Sequence, residues 1–200
     1  FIPNAKIEAF LKSKNEKVDY VLTNRGSFET DMVIVAIGVE PNISLAKSAR
    51  LRIGNSGAIS VNNLQQTSNE DIYAAGDCSE VTNIVTGKPA YIPLASVASR
   101  SAWVAGENAA GIRSKFAGAI NSSGVRIFNL EAAKVGLSSQ EAASARFKVV
   151  TDLVVSNSKI PLMPENKKVT IKLVVDQITK RILGANVFGE EGAVARANVL

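Results

Sequence analysis

The sequence contains no histidine and a single cysteine, Cys78, among its 200 residues. Without histidine it lacks both the usual general base near neutral pH and the commonest metal ligand. One cysteine cannot build an intrachain disulfide framework, and no Cys/His metal site can be assembled. Aromatic residues make up only 6% of the chain. None of them interleaves with basic residues, so Trp103 reads as packing or interface rather than a base-stacking platform. No apolar run reaches the roughly 20 residues of a membrane-spanning helix. The opening F-I-P-N-A-K-I-E-A-F lacks the basic-then-apolar layout of a signal peptide. Basic residues outnumber acidic ones by 23 to 18, a net charge of +5, but they are scattered. The densest pair, Lys167-Lys168, is too short for a nucleic-acid stripe. These absences argue against a metal site, a membrane span and a nucleic-acid partner. They point to a reducing, cytoplasmic setting, with a mild positive excess that helps anionic small molecules at most.

What is present is ordinary globular material, 46% hydrophobic and 20% charged, enough for a sizeable core. The chain has no initiator Met and ends on an apolar A-N-V-L without a helix stop signal, so a piece of a longer protein is expected. K-V-D-Y-V-L-T (17–23) and S-F-E-T-D (27–31) read as two strands around a turn at Asn24–Gly26. D-M-V-I-V-A-I-G, Asp31 to Gly38, is the continuous β-branched run of a strand buried on both faces, ended by Gly38 and Pro41. Ser44 to Ser48 can form a helical turn, and short strands are expected at 57–61 and 72–75. Pro93 opens a helix that stops at Gly111, with small apolar residues at Leu94, Val97, Ala98, Ala102, Val104 and Ala105. After a connector at 112–124 the pattern becomes β-rich, with strands near 125–135, 147–155, 168–176 and 181–188. A helix is expected near 138–145, opened by a capping box from Ser138 to Glu141. Asp176 to Lys180 is a hairpin connection, and 190–200 begins another helix.

Three of these features could meet at the carboxyl edge of one sheet, where open α/β folds bind ligands. They are a strand ending at Gly38, a short strand ending at Gly76-Asp77, and the helix beginning near Pro93. A carboxylate there can accept hydrogen bonds from sugar or polyol hydroxyls, and a helix N-terminus offers unpaired N–H groups. Asp77 could equally be a turn or capping acid. Cys78 sits beside Asp77 and Glu80, which disfavour a thiolate, so it reads as a bystander rather than a redox centre.

The same residues carry a resemblance. T-x(3)-D-I-Y-A-A-G-D-C, Thr67 to Cys78, resembles the second flavin fingerprint of the FAD-dependent pyridine nucleotide-disulfide oxidoreductases. D-M-V-I-V-A-I-G-V-E-P-N is similar to that family's return from the NAD(P)H domain to the FAD domain. Y-I-P-L-A-S-V-A-S-R-S-A-W-V-A-G-E-N-A-A-G resembles its next helix, and V-R-I-F-N-L-E-A-A-K-V-G-L-S-S-Q-E-A the opening of its dimerisation domain. Order and spacing agree over nearly the whole chain, closest to the NADH oxidase, NADH peroxidase and coenzyme A-disulfide reductase branch.

The resemblance implies an α/β fold made of the tail of an NAD(P)H domain (1–36), the second segment of an FAD domain (37–120) and an α+β dimerisation domain with an antiparallel sheet (121–200). It implies FAD and NAD(P)H as cofactors and a homodimer through 121–200. The activity implied is hydride transfer from NAD(P)H through flavin to oxygen, peroxide or a disulfide- or polysulfide-type acceptor. By the same resemblance, Asp77 holds the ribityl chain and Gly76 allows close approach. Pro93, Leu94 and Ala95 face the flavin pyrimidine edge, and Gly38 with Pro41 shapes the crossover. The first G-x-G-x-x-G and the redox cysteine would precede Phe1, so no catalytic residue is assigned within this segment. Coenzyme A-disulfide reductases tend to carry tyrosines in the stretch matching S-N-S-K-I-P-L-M-P (156–164), and here there are none. The C-terminal His-Glu pair of glutathione-reductase-type members is not visible either. The other reading is a non-catalytic dimerisation scaffold.

Overall fold

The computed structural model describes residues 1–13 and 16–199. The chain divides into two compact units, Phe1–Glu40 and Pro41–Leu200.

The first unit is an antiparallel meander of β1 (Ile7–Lys12), β2 (Val18–Thr23) and β3 (Gly26–Glu29), in that order. The expected N-R-G turn joins β2 to β3. Thr23 Oγ1 donates to Gly26 O at 2.9 Å and accepts the Arg25 N–H at 3.0 Å. Sequence patterning did not single out β1. The expected strand from Asp31 to Gly38 does not form, and the segment is extended and exposed, with Ile34 83% and Ile37 87% accessible. A strand needs backbone partners as well as apolar side chains, and this segment joins no sheet among the described residues.

The second unit opens with α1 (Ser44–Ser48), as expected. Residues 49–80 hold together by isolated bridges rather than strands. Ile59 pairs with Ile53 and Ser79, and Tyr73 with Gln66. The strands expected at 57–61 and 72–75 therefore shrink to single bridging residues. A buried carboxylate organises this stretch: Glu80 accepts the Ser56 N–H at 3.2 Å and its Oγ–H at 2.8 Å. It fills the space a side chain at Gly54 would need. A hairpin of β4 (Val81–Thr82) and β5 (Pro89–Ala90) follows, then α2 (Ala95–Ala109). Val81, Ile92, Val97 and Ala119 form one core cluster here.

The rest is a five-stranded antiparallel sheet in the order β6-β7-β10-β9-β8. Its strands are β6 (Ser123–Ile127), β7 (Leu130–Gly136), β8 (Val149–Asn157), β9 (Lys168–Asp176) and β10 (Ile182–Gly189). The single strand expected at 125–135 is instead the β6–β7 hairpin, turning at Phe128 with φ +55°. The expected connector at 112–124 accordingly ends inside β6. Helix α3 (Ser139–Ser144) begins with the expected capping box. Glu141 N–H donates to Ser138 Oγ at 3.2 Å, and Ser138 N–H donates to the Glu141 carboxylate at 2.7 Å. The helix expected over 190–200 is one short turn, α4 (Ala193–Arg196), continued by a 3-10 turn at Ala197–Val199.

Two core clusters sit against this sheet. Ala133, Val169, Val187 and Ala193 lie under α4. Leu137, Ala142, Val174 and Leu183 pack around Val85, which reaches in from the loop between β4 and β5.

Candidate functional site

The site forms where the Gly76–Asp77 turn meets α2. Gly76 has φ +82°, a left-handed conformation that favours glycine. Its N–H donates to Ser101 Oγ at 3.2 Å, and Ser101 Oγ–H donates to Ala98 O at 3.0 Å. A Cβ on Gly76 would stand 3.8 Å from Ala98 Cβ, so the turn lies directly on the helix. Ser101 is fully buried and was not singled out by sequence patterning, because its partner is a backbone group 25 residues away. The buried face of α2 is Val97, Ser101 and Val104. Ala102, expected on that face, points to solvent.

Asp77 is exposed, and its side chain has no hydrogen bond or ion pair among the described residues. It does not cap a helix. Next to it lies Tyr91, whose hydroxyl is buried and has no partner among the described residues. Burial pushes the phenol pKa up, and the negative charge of Asp77 pushes it further in the same direction. Cys78 itself is half-buried rather than buried, and its Sγ donates to Ala75 O at 3.4 Å.

The N-terminus of α2 completes the arrangement. The helix starts at Ala95, not at Pro93, which lies before the Leu94 cap. No side chain caps this end and its first turn holds no acid. Leu94 N–H donates to Ile92 O at 2.9 Å, while Val97 and Ala98 both donate to Leu94 O. The free amides are therefore those of Ala95 and Ser96, not Leu94. Gly38 belongs to the first unit, with φ +99°, at the end of the extended segment rather than of a strand.

The arrangement suits a group that carries hydroxyls at one end and an electron-rich ring edge at the other. The unpaired Asp77 accepts hydrogen bonds, the orphaned Tyr91 hydroxyl seeks a partner, and the open helix end donates. These residues fit a flavin nucleotide. Among the described residues no cluster of His, Cys, Asp or Glu could hold a metal ion. A separate cavity of about 650 Å³ is lined by Arg126, Lys159, Lys167 and Arg196. Its cations are largely compensated, with Lys167 paired to Glu190 at 3.1 Å. Trp103 stands on the outward side of α2, 72% exposed.

A glycine-acid turn resting on an uncapped helix, followed by an antiparallel sheet, suits a nucleotide-binding segment continued by a second, β-rich module. Comparison with known families agrees. The model for pyridine nucleotide-disulphide oxidoreductases matches residues 1–102, and that for their dimerisation domain matches residues 122–199. The chain belongs to the pyridine nucleotide-disulphide oxidoreductase family.

Among similar curated proteins is an NAD(P)H sulfur oxidoreductase (CoA-dependent) of Pyrococcus furiosus, 39% identical over 88% of this chain and 40% of that protein. An NADH oxidase of Methanocaldococcus jannaschii is 36% identical over 92% of this chain and 41% of that protein. Among solved structures, an NAD-dependent persulfide reductase from A. fulgidus superposes with a TM-score of 0.92 at 34% identity, covering 98% of this chain and 36% of that one. The chain thus spans about 40% of the length of the curated relatives it matches. No helix among the described residues is long and apolar enough to cross a membrane.

Proposed function

We propose that this chain is the flavin-contacting and dimerising portion of an NAD(P)H-dependent, FAD-containing oxidoreductase. The observation that carries the reading is the Gly76–Asp77 turn held against α2 by the Gly76–Ser101 hydrogen bond. That bond sets the turn that carries an unpaired carboxylate against the first two turns of a helix whose N-terminus is uncapped. Bound FAD would supply hydride acceptance from NAD(P)H and delivery to oxygen, peroxide or a disulfide- or polysulfide-type acceptor. The protein's share is positioning. Asp77 accepts hydrogen bonds from the ribityl hydroxyls, and Gly76 keeps the backbone clear of them. The Ala95 and Ser96 amides, after Pro93 and Leu94, face the electron-rich edge of the ring. Gly38 shapes the crossover. The same proposal includes the division into 1–36, 37–120 and 121–200, a homodimer through the last segment, and a cytoplasmic setting. Relatives named as sulfur oxidoreductase, persulfide reductase and NADH oxidase support the oxygen and sulfur-type acceptors in this range.

The test is flavin affinity. Asp77→Ala in the protein carrying this chain should weaken FAD binding about tenfold, the equivalent of one hydrogen bond of about 1.4 kcal/mol. Unchanged affinity would remove Asp77 from the site. A scaffold role is favoured by one fact: no histidine and no thiol but Cys78 is available for chemistry here. Under that second reading the purified chain is colourless and does not oxidise NADH, and a visible flavin band would overturn it.

A further inference from the structure

Tyr91 carries a polar group that the fold leaves unused, on a backbone held from both sides. Ala90 before it pairs with Val81 in the β4–β5 hairpin. Ile92 after it is 5% exposed, in the core cluster with Val81 and Val97. Pro93 and the Leu94 cap then lead directly into α2. Because the hairpin is antiparallel, one step past the Val81–Ala90 pair brings Tyr91 level with Glu80. Glu80 follows Ser79, whose N–H closes the Gly76–Asp77 turn on Gly76 O at 3.1 Å. The tyrosine therefore stands between the acid turn and the start of the helix.

Its ring is half-buried, but its hydroxyl is buried and has no hydrogen-bond partner among the described residues. An unpaired buried hydroxyl is costly, so it calls for a partner that those residues do not supply. Burial, and after it the charge of Asp77, hold the phenol pKa up, so the group stays an O–H donor. The Asp77 carboxylate, by contrast, can only accept. A ligand hydroxyl does both: its proton can go to the acid while its oxygen takes the proton of the phenol.

We propose that Tyr91 is a second ligand-binding residue of this site, donating its phenol O–H to the same hydroxyl-bearing segment from which Asp77 accepts. On the flavin reading, on which this assignment rests, that segment is the ribityl chain of FAD. Tyr91 then adds the donor that an acid cannot be, on a backbone already fixed by the hairpin and the core.

The test is FAD titration of the apoprotein that carries this chain, followed by quenching of flavin fluorescence. Wild type, Tyr91→Phe, Asp77→Ala and the double variant are compared, with thermal unfolding of each apoprotein. Tyr91→Phe keeps the ring and removes only the oxygen. It should raise the FAD dissociation constant about fivefold, the loss of one neutral hydrogen bond. The melting temperature of the apoprotein should stay unchanged or rise, because the orphaned group is gone. The double variant should lose less affinity than the product of the two single losses, since both residues hold one segment. If Tyr91→Phe binds FAD as tightly as wild type while Asp77→Ala weakens it, the hydroxyl serves no more than a water, and Tyr91 alone leaves the site. A melting temperature that falls in step with affinity would make the role structural and overturn the assignment. Losses that multiply in full would put the two residues on separate parts of the ligand and overturn the shared contact. If Asp77→Ala too leaves the affinity unchanged, the flavin reading falls with it.

Discussion

Replacing Asn108 with alanine would cut the tie that fixes the end of α2. Its Nδ2 donates to Leu64 O at 3.2 Å, Val104 O at 2.8 Å and Ser114 O at 2.9 Å. Its Oδ1 accepts the Ser114 N–H at 3.2 Å. An amide nitrogen carries two protons, so the three donor contacts count as two full bonds. With the accepted bond that makes three, at about 1 kcal/mol net each, or about 3 kcal/mol. For a chain of this size that corresponds to a melting temperature lower by about 6–12 °C. Thermal unfolding followed by circular dichroism measures it. Asn108→Asp is the informative companion, because it keeps the acceptor for Ser114 but sets a carboxylate against three carbonyls. At neutral pH it should cost at least as much as alanine. A fall of less than about 2 °C for Asn108→Ala would show that the contacts drawn here carry no net stability.

Two further outcomes follow from buried polar groups. Gln65 is 1% exposed and its Oε1 has no partner among the described residues, so Gln65→Met should raise stability by about 1 kcal/mol in urea titration; a loss of stability would mean that the oxygen is satisfied. Asp176 accepts hydrogen bonds from Thr179 Oγ1 at 2.6 Å and Thr179 N at 3.1 Å, and the Thr179 side chain is the main cause holding its pKa below the ordinary carboxylate value. A depressed folded-state pKa contributes stability above the unfolded value, lost as pH falls through the folded one. Asp176→Asn should therefore flatten the decline in stability below about pH 4; an unchanged acid limb would count against the hairpin hydrogen bonds.

Local chemistry was legible in the sequence, and long-range pairing was not. The Ser138–Glu141 capping box and the Asp176–Lys180 hairpin were readable because their partners lie within a few residues. The run from Asp31 to Gly38 misled because β-branched periodicity reports what a strand would bury, not whether another strand is there to pair with it. The β6–β7 hairpin was missed because its two-residue turn, Phe128-Asn129, puts the positive φ on the phenylalanine rather than on the asparagine. In the site, Gly76 and Asp77 stood out through a motif. The roles of Ser101 and Tyr91 are tertiary facts with no local signature.

Val85 belongs, by its place in the chain, to the segment before the five-stranded sheet, yet it completes the cluster of Leu137, Ala142, Val174 and Leu183. Arg181 Nη2 donates to Ile84 O beside it at 3.3 Å. The segments on either side of the boundary that sequence patterning draws near residue 120 therefore share one core cluster. Recombination that exchanged residues 122–199 as a block would import a sheet whose hydrophobic plug stayed behind in the recipient. The residue at position 85 and its new surroundings would have to change together, so inheritance should favour transfer of the loop and the sheet as a single piece.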